Sequence, residues 1–87
     1  MYGINKINTE DMQIGNYAYS DHTGQWYIVS ALPNFIKEGH HIYALIRIDG
    51  QGYYYKSESL NELKSKISND GGETTIFKDL IVEWRRR

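Results

Sequence analysis

The chain has no cysteine, a single proline and no long apolar run. Without cysteine it can form neither a disulfide framework nor a thiolate metal site, and this composition suits a reducing compartment. The N-terminal residues lack the apolar stretch of a signal peptide, and no run reaches the roughly 18 apolar residues of a membrane span. We therefore expect a cytoplasmic protein that makes no contact with a membrane.

An excess of charge is also missing, since 10 basic and 11 acidic residues give a formal net charge of −1. A protein that holds duplex DNA normally carries a clear basic excess. The length of 87 residues suits one small domain, and a small core leaves little room for a deep catalytic pocket. We expect residues 1–87 to form a single domain, with a weakly structured segment at 1–13 and a basic tail at 85–87.

Alternating sequence predicts two β-hairpins. Residues 14–20 and 25–32 form the strands of the first, with Tyr17 and Tyr19 on one face, a turn at 21–24 and Pro33 after the second strand. Residues 40–49 predict the strongest strand. One face of it carries Ile42, Ala44, Ile46 and Ile48, and the other carries Tyr43, Leu45 and Arg47.

The glycine turn after this strand sets the register of the second hairpin. A two-residue turn at Gly50 and Gln51 is typical of a type II′ hairpin. In that register Tyr53 and Tyr55 join the isoleucine row in the core, and Tyr54 lies beside Arg47 on the opposite face. A slip by one residue would reverse this assignment.

A helix is predicted at about residues 59–69. Ser59 and Glu62 have the spacing of a capping box, and Leu60, Leu63 and Ile67 form one apolar stripe. With only one apolar face, this helix is expected to lie on the isoleucine face of the sheet. The last segment, residues 74–87, is compatible with a strand or a helix, and its β-branched content favours a strand over Leu80–Trp84.

These elements predict an α+β fold in which one helix packs on a small antiparallel sheet of about 4–5 strands. The stretch Met12–Val29, "MQIGNYAYSDHTGQWYIV", resembles the opening of many small SH3-like barrels, where an Ile-Gly-x-Tyr strand leads into a hairpin. That resemblance implies a curled, barrel-like sheet as an alternative to an open one.

No reaction centre is recognisable. The three histidines, at 22, 40 and 41, lie in turns or point apart, and no serine stands in a nucleophile elbow. We expect no catalytic activity, no cofactor and no metal. Aromatic residues are abundant instead, with eight Tyr, two Trp and two Phe. Rigid aromatic and arginine side chains are typical of interface hot spots, and the predicted partner-binding residues are Trp26, Tyr27, Tyr43, Arg47 and Tyr54.

Three functions are compatible with this pattern. The first is a non-catalytic module that covers a surface of a partner protein, and the residue usage resembles small inhibitors from bacteriophages and mobile elements. The second is a single-stranded nucleic-acid binder that stacks bases on tyrosine and uses arginine for phosphates. The third is a homo-oligomer that binds or sequesters a small molecule between its subunits.

Overall fold

A computed structural model describes residues 1–82. This part of the chain has six strands, which form one antiparallel sheet, and two helical elements. The elements are β1 (Tyr2–Ile7), a 3-10 turn (Thr9–Asp11), β2 (Tyr17–Ser20), β3 (Gln25–Pro33), β4 (His41–Arg47), β5 (Tyr53–Ser57), α1 (Leu60–Ser68) and β6 (Thr74–Ile81).

The strands lie in the order β1-β6-β2-β3-β4-β5. The class and the two hairpins agree with the sequence, and the described part of the last segment is a strand. The sheet does not close into a barrel, because β1 and β5 form its two edges. The basic tail and Trp84 lie outside the described residues.

The N-terminal segment differs from the prediction. Residues 1–13 were expected to have little regular structure, but Tyr2–Ile7 form β1, which pairs with β6. The segment alternates poorly in sequence, and Asn5 takes a left-handed conformation, with φ of 60°, in the middle of the strand. Pairing with a strand some 70 residues away, rather than a local pattern, holds β1 in the sheet.

The core lies between one face of the sheet and α1. The Cα partners show that Ala18, Tyr27 and Leu45 share this face, which we call the core side. Leu63 and Ile67 of α1 pack on it. The prediction that α1 covers the isoleucine row is therefore wrong: the helix lies over the face that carries Tyr43 and Leu45. The remaining buried members of this cluster are Met12, Val29 and Ile76.

The β4–β5 hairpin has a different register from the predicted one. Ile46 faces Tyr53 instead of Tyr55, and Arg47 N donates to Gly52 O at 2.8 Å across a longer turn. A β-bulge follows, because Ala44 faces Lys56 while Ile46 faces Tyr53. Two residue steps on β4 thus correspond to three on β5.

Candidate functional site

One side of the sheet has no helix on it, and we call it the open face. Strand pairing places Tyr17 beside Ile28, Tyr19 beside Trp26, and Ile28 beside Ile46. The open-face positions of β2, β3 and β4 are Tyr17, Tyr19, Trp26, Ile28, Ser30, Leu32, Ile42, Ala44 and Ile46. None of these side chains is charged. Most of the large ones are half-buried by their neighbours and half-exposed to solvent.

Aromatic rings cluster at the β2–β3 turn end of the open face. The ring of Trp26 lies 4.9 Å from that of Tyr19 and 5.6 Å from that of Phe77, both in tilted geometry. Phe77 reaches this position because β6 lies beside β2, which pairs it with Tyr17. The ring also covers Gly3, where any side chain would overlap it. The cluster therefore depends on β6, which pairs with β2 on one side and with β1 on the other.

These rings line a shallow cavity of about 490 Å³, which we call the aromatic pocket. Its other walls come from β1 and from the neighbouring turn. The lining residues are Met1, Tyr2, Gly3, Tyr19, Gly24, Trp26, Thr75 and Phe77. No acidic or basic side chain is among them. The pocket therefore suits an apolar or aromatic group rather than an ion.

Of the predicted site residues, only Trp26 lies on the open face. Tyr27 is buried in the core with 3% of its surface exposed, and Tyr54 stacks on it with ring centroids 5.5 Å apart. Tyr43 is half-buried and packs against the same cluster. The part of the isoleucine row on β4 was assigned to the core by its sequence pattern, but it lies on the open face.

Arg47 lies at the rim of the core side, opposite Tyr27. Its guanidinium donates to Asp49 Oδ2 at 2.6 Å, while its Nε is buried without a hydrogen-bond partner. Arg47, Tyr43 and Tyr54 do share a side of the sheet, as predicted, but α1 covers that side. These three residues therefore form no continuous exposed patch.

Part of the open face could be predicted from the sequence. The alternation of Tyr17 and Tyr19 placed both on one side of a strand, which the structure confirms. Phe77 was missed because its segment was ambiguous and its neighbour β2 is distant in sequence. Tyr53 was expected in the core, but it is 57% exposed at the edge of the open face, where Lys56 Nζ lies 5.3 Å from its ring centroid.

A second groove of about 400 Å³ lies at the end of β5, near the start of α1. Most of its charged groups contact other groups of the same chain. Lys37 Nζ bonds to Glu58 Oε1 at 3.0 Å, and Lys66 Nζ donates to the carbonyl oxygen of Lys56 at 2.6 Å. The hydroxyl of Ser57 is buried there without a hydrogen-bond partner. With side chains of both charges in its lining, this groove selects no ligand class.

Comparison with known proteins adds no assignment, because no family model, curated protein or solved structure matches the chain. Within residues 1–82, no helix is long and apolar enough to cross a membrane. In the same range, no group of three His, Asp or Glu side chains is arranged to hold a metal ion. The open face and its aromatic pocket are thus the candidate site.

Proposed function

We propose that this chain is a non-catalytic protein-binding module that covers a surface of a partner protein with its open face. The observation that carries the proposal is the uncharged, aromatic-rich surface that runs across β2, β3 and β4 and ends in the aromatic pocket. Burying such a surface desolvates no ion, so most of the apolar contact contributes to binding.

The chemistry of the pocket supports an apolar anchor from the partner. Trp and Tyr residues are enriched at interface hot spots because they bury a large, rigid surface. Trp26 and Tyr19 are held by mutual ring contacts before any partner arrives, which lowers the entropy that binding must remove. A host protein of a bacteriophage or mobile element remains the predicted partner, on the basis of residue usage.

Single-stranded nucleic acid is the second candidate. Exposed aromatic rings on a single sheet can stack bases, and Lys56 beside Tyr53 adds a cation at the edge of the open face. Against this, the pocket has no basic side chain and the whole chain has a net charge of −1. The third hypothesis, sequestration of a small molecule, stays a prediction that a ligand screen by melting temperature would test.

One capture experiment distinguishes protein binding from nucleic-acid binding. The immobilised protein is incubated with nuclease-treated and untreated lysate, and bound material is compared for wild type, Trp26→Ala and Thr75→Glu. Ser65→Glu, which adds the same charge on the exposed surface of α1, is the matched control. Melting temperatures show which variants remain folded.

We expect a protein that the wild type and Ser65→Glu retain after nuclease treatment and in moderate salt. Both open-face variants should lose at least about tenfold of that binding. Capture that disappears with nuclease, or falls steeply with added salt, would instead indicate nucleic acid. Equal capture by all four folded proteins would show that the open face is not the contact surface.

A further inference from the structure

The β3–β4 loop holds two large apolar side chains in solvent. Phe35 is 96% exposed and Ile36 is 94% exposed, and we call this pair the loop tip. Asn34 shapes the loop, because its Oδ1 accepts from the backbone N–H groups of Ile36 at 3.0 Å and Lys37 at 3.2 Å. The backbone N–H of Asn34 also donates to His40 O at 3.0 Å, which closes the loop.

Two charged residues follow the tip: Lys37, which is paired within the chain, and Glu38, an exposed carboxylate. Lys37 Nζ lies 3.0 Å from Glu58 Oε1, so it is paired with a carboxylate of the β5–α1 connection. The tip therefore presents an apolar knob on a hydrogen-bonded loop. Contiguous exposed apolar surface marks contact sites more often than scattered exposed residues do. One cationic side chain, already paired, is a poor match for an anionic lipid surface.

The same chain carries a pocket that suits this knob. The aromatic pocket has no charged side chain and lies near Trp26 at the start of β3, whereas the loop tip follows Pro33 at the end of β3. The strand has nine residues, which at about 3.4 Å each separate knob and pocket by roughly 30 Å. One copy therefore cannot fill its own pocket along the strand, so a loop tip in the pocket has to come from a second copy.

We propose that this chain forms a symmetric homodimer in which the loop tip of each copy occupies the aromatic pocket of the other. The two-fold axis passes near the Ser30–Ala44 pair, which lies midway along the β3–β4 ladder and has small side chains. The isoleucine and tyrosine side chains of the two open faces pack against each other between the pockets. This inference rests on the proposed function, because it names a second copy as the partner of the open face.

The available area agrees with a stable dimer. A sheet of six strands spaced about 4.8 Å apart, with strands some 20–25 Å long, offers a flat area on the order of 600 Å². The uneven side-chain surface and the two loop tips increase the area that each partner buries toward the roughly 800 Å² of standard interfaces. The centre of this face, on β2, β3 and β4, is uncharged, and the charged side chains Lys6, Lys56 and Asp79 lie on the outer strands.

Sedimentation velocity from about 1 to 300 µM measures the dimer directly. We expect the wild type to shift from monomer to dimer mass within this range. Phe35→Ser with Ile36→Ser removes the knob, Thr75→Glu places a charge in the pocket, and each should weaken dimerisation at least about tenfold. Ile14→Ser, another exposed isoleucine outside the loop, and Ser65→Glu are controls that should dimerise as the wild type does.

A mixture of the two defective chains gives the decisive result. The knob variant keeps an intact pocket and the pocket variant keeps an intact knob, so a mixed dimer regains one of the two contacts. We expect the mixture to associate at concentrations where each variant alone is monomeric. A wild type that stays monomeric, a knob variant that dimerises normally, or a mixture that stays monomeric would each overturn the dimer. If the chain stays monomeric and captures another protein through Trp26, the dimer is overturned and the proposed function is supported.

Discussion

Three consecutive tyrosines show how one extra residue in a strand decides which side chains reach the core. Strict alternation places Tyr53 and Tyr55 together and Tyr54 opposite them. The β-bulge between Ile46 and Ala44 breaks that alternation, so the rings of Tyr54 and Tyr55 lie 4.4 Å apart and both pack against the core. A bulge depends on packing across the ladder and leaves no distinct local sequence pattern.

The bulge predicts opposite results for two neighbouring alanine substitutions. Tyr54→Ala removes a ring that stacks on Tyr27, so it should lower the free energy of unfolding by about 2–4 kcal/mol. Tyr53→Ala acts on a largely exposed ring and should lower it by less than about 1 kcal/mol. Urea unfolding of both variants gives the comparison. A larger loss for Tyr53→Ala would mean that the hairpin has another register.

Tyr55 should make the fold sensitive to alkaline pH. Burial raises the pKa of its phenol above the usual 10.0, and the Tyr54 hydroxyl and the Asp70 carboxylate raise that pKa further. The folded chain thus holds the proton more tightly than the unfolded chain does. The associated stability is complete below pH 10 and is lost as the pH rises above about 10.

Urea midpoints at about pH 9 and pH 11 test this assignment. We expect the wild type to lose stability between the two values, and Tyr55→Phe to lose clearly less because it has no phenol to ionise. Tyr53→Phe, which changes an exposed ring, is the control and should keep the wild-type drop. An equal drop in all three proteins would assign the alkaline sensitivity to other groups.

At the scale of elements, α1 was the most predictable part of the molecule because its signals are local. Ser59 Oγ accepts from the backbone N–H of Glu62 at 3.1 Å, as the capping-box pattern predicted. The helix spans Leu60–Ser68, within a residue of the expected range, and Leu63 and Ile67 are buried. The cap and the apolar stripe lie within nine consecutive residues, 59–67, so no distant contact was needed to find them.

Ser59→Ala should lower the free energy of unfolding by about 1 kcal/mol, because it leaves a helix N–H without its acceptor. Ser65→Ala is the matched control: that serine is exposed within α1, and alanine favours helix at least as well. Thermal or urea unfolding of both variants measures the difference. Equal stability of the two would show that the cap contributes nothing to the fold.

The face chosen by α1 could not be read from β4 alone, since both sides of that strand are apolar. Ile42 and Ile46 made one side look like a core, while Tyr43 and Leu45 lie on the other. The neighbouring strands determine which side α1 covers. Their residues Ala18, Val29 and Ile76 are buried in the same cluster as Leu45. The open face therefore follows from strand order, which a pattern within one strand does not contain.

At the scale of the whole molecule, the sequence predicted the α+β class, both hairpins and the single helix among residues 1–82. It missed β1, and with β1 the sixth strand, and it left an open sheet and a barrel as alternatives. Of the candidate site, only Trp26 was named in advance. Its partners Tyr19 and Phe77 meet it through pairing between distant segments, and a single sequence does not reveal those pairs.

The position of β6 between β1 and β2 has a consequence for how the sheet assembles. Neither of these strands pairs with the other, so β1 stays without a neighbour until β6 has been synthesised. A nascent chain that stops before Thr74 would have its first strand detached and the inner edge of β2 open to other chains. Assembly of the full sheet is thus postponed to the final stretch of translation of residues 1–82, when one strand joins both halves at once.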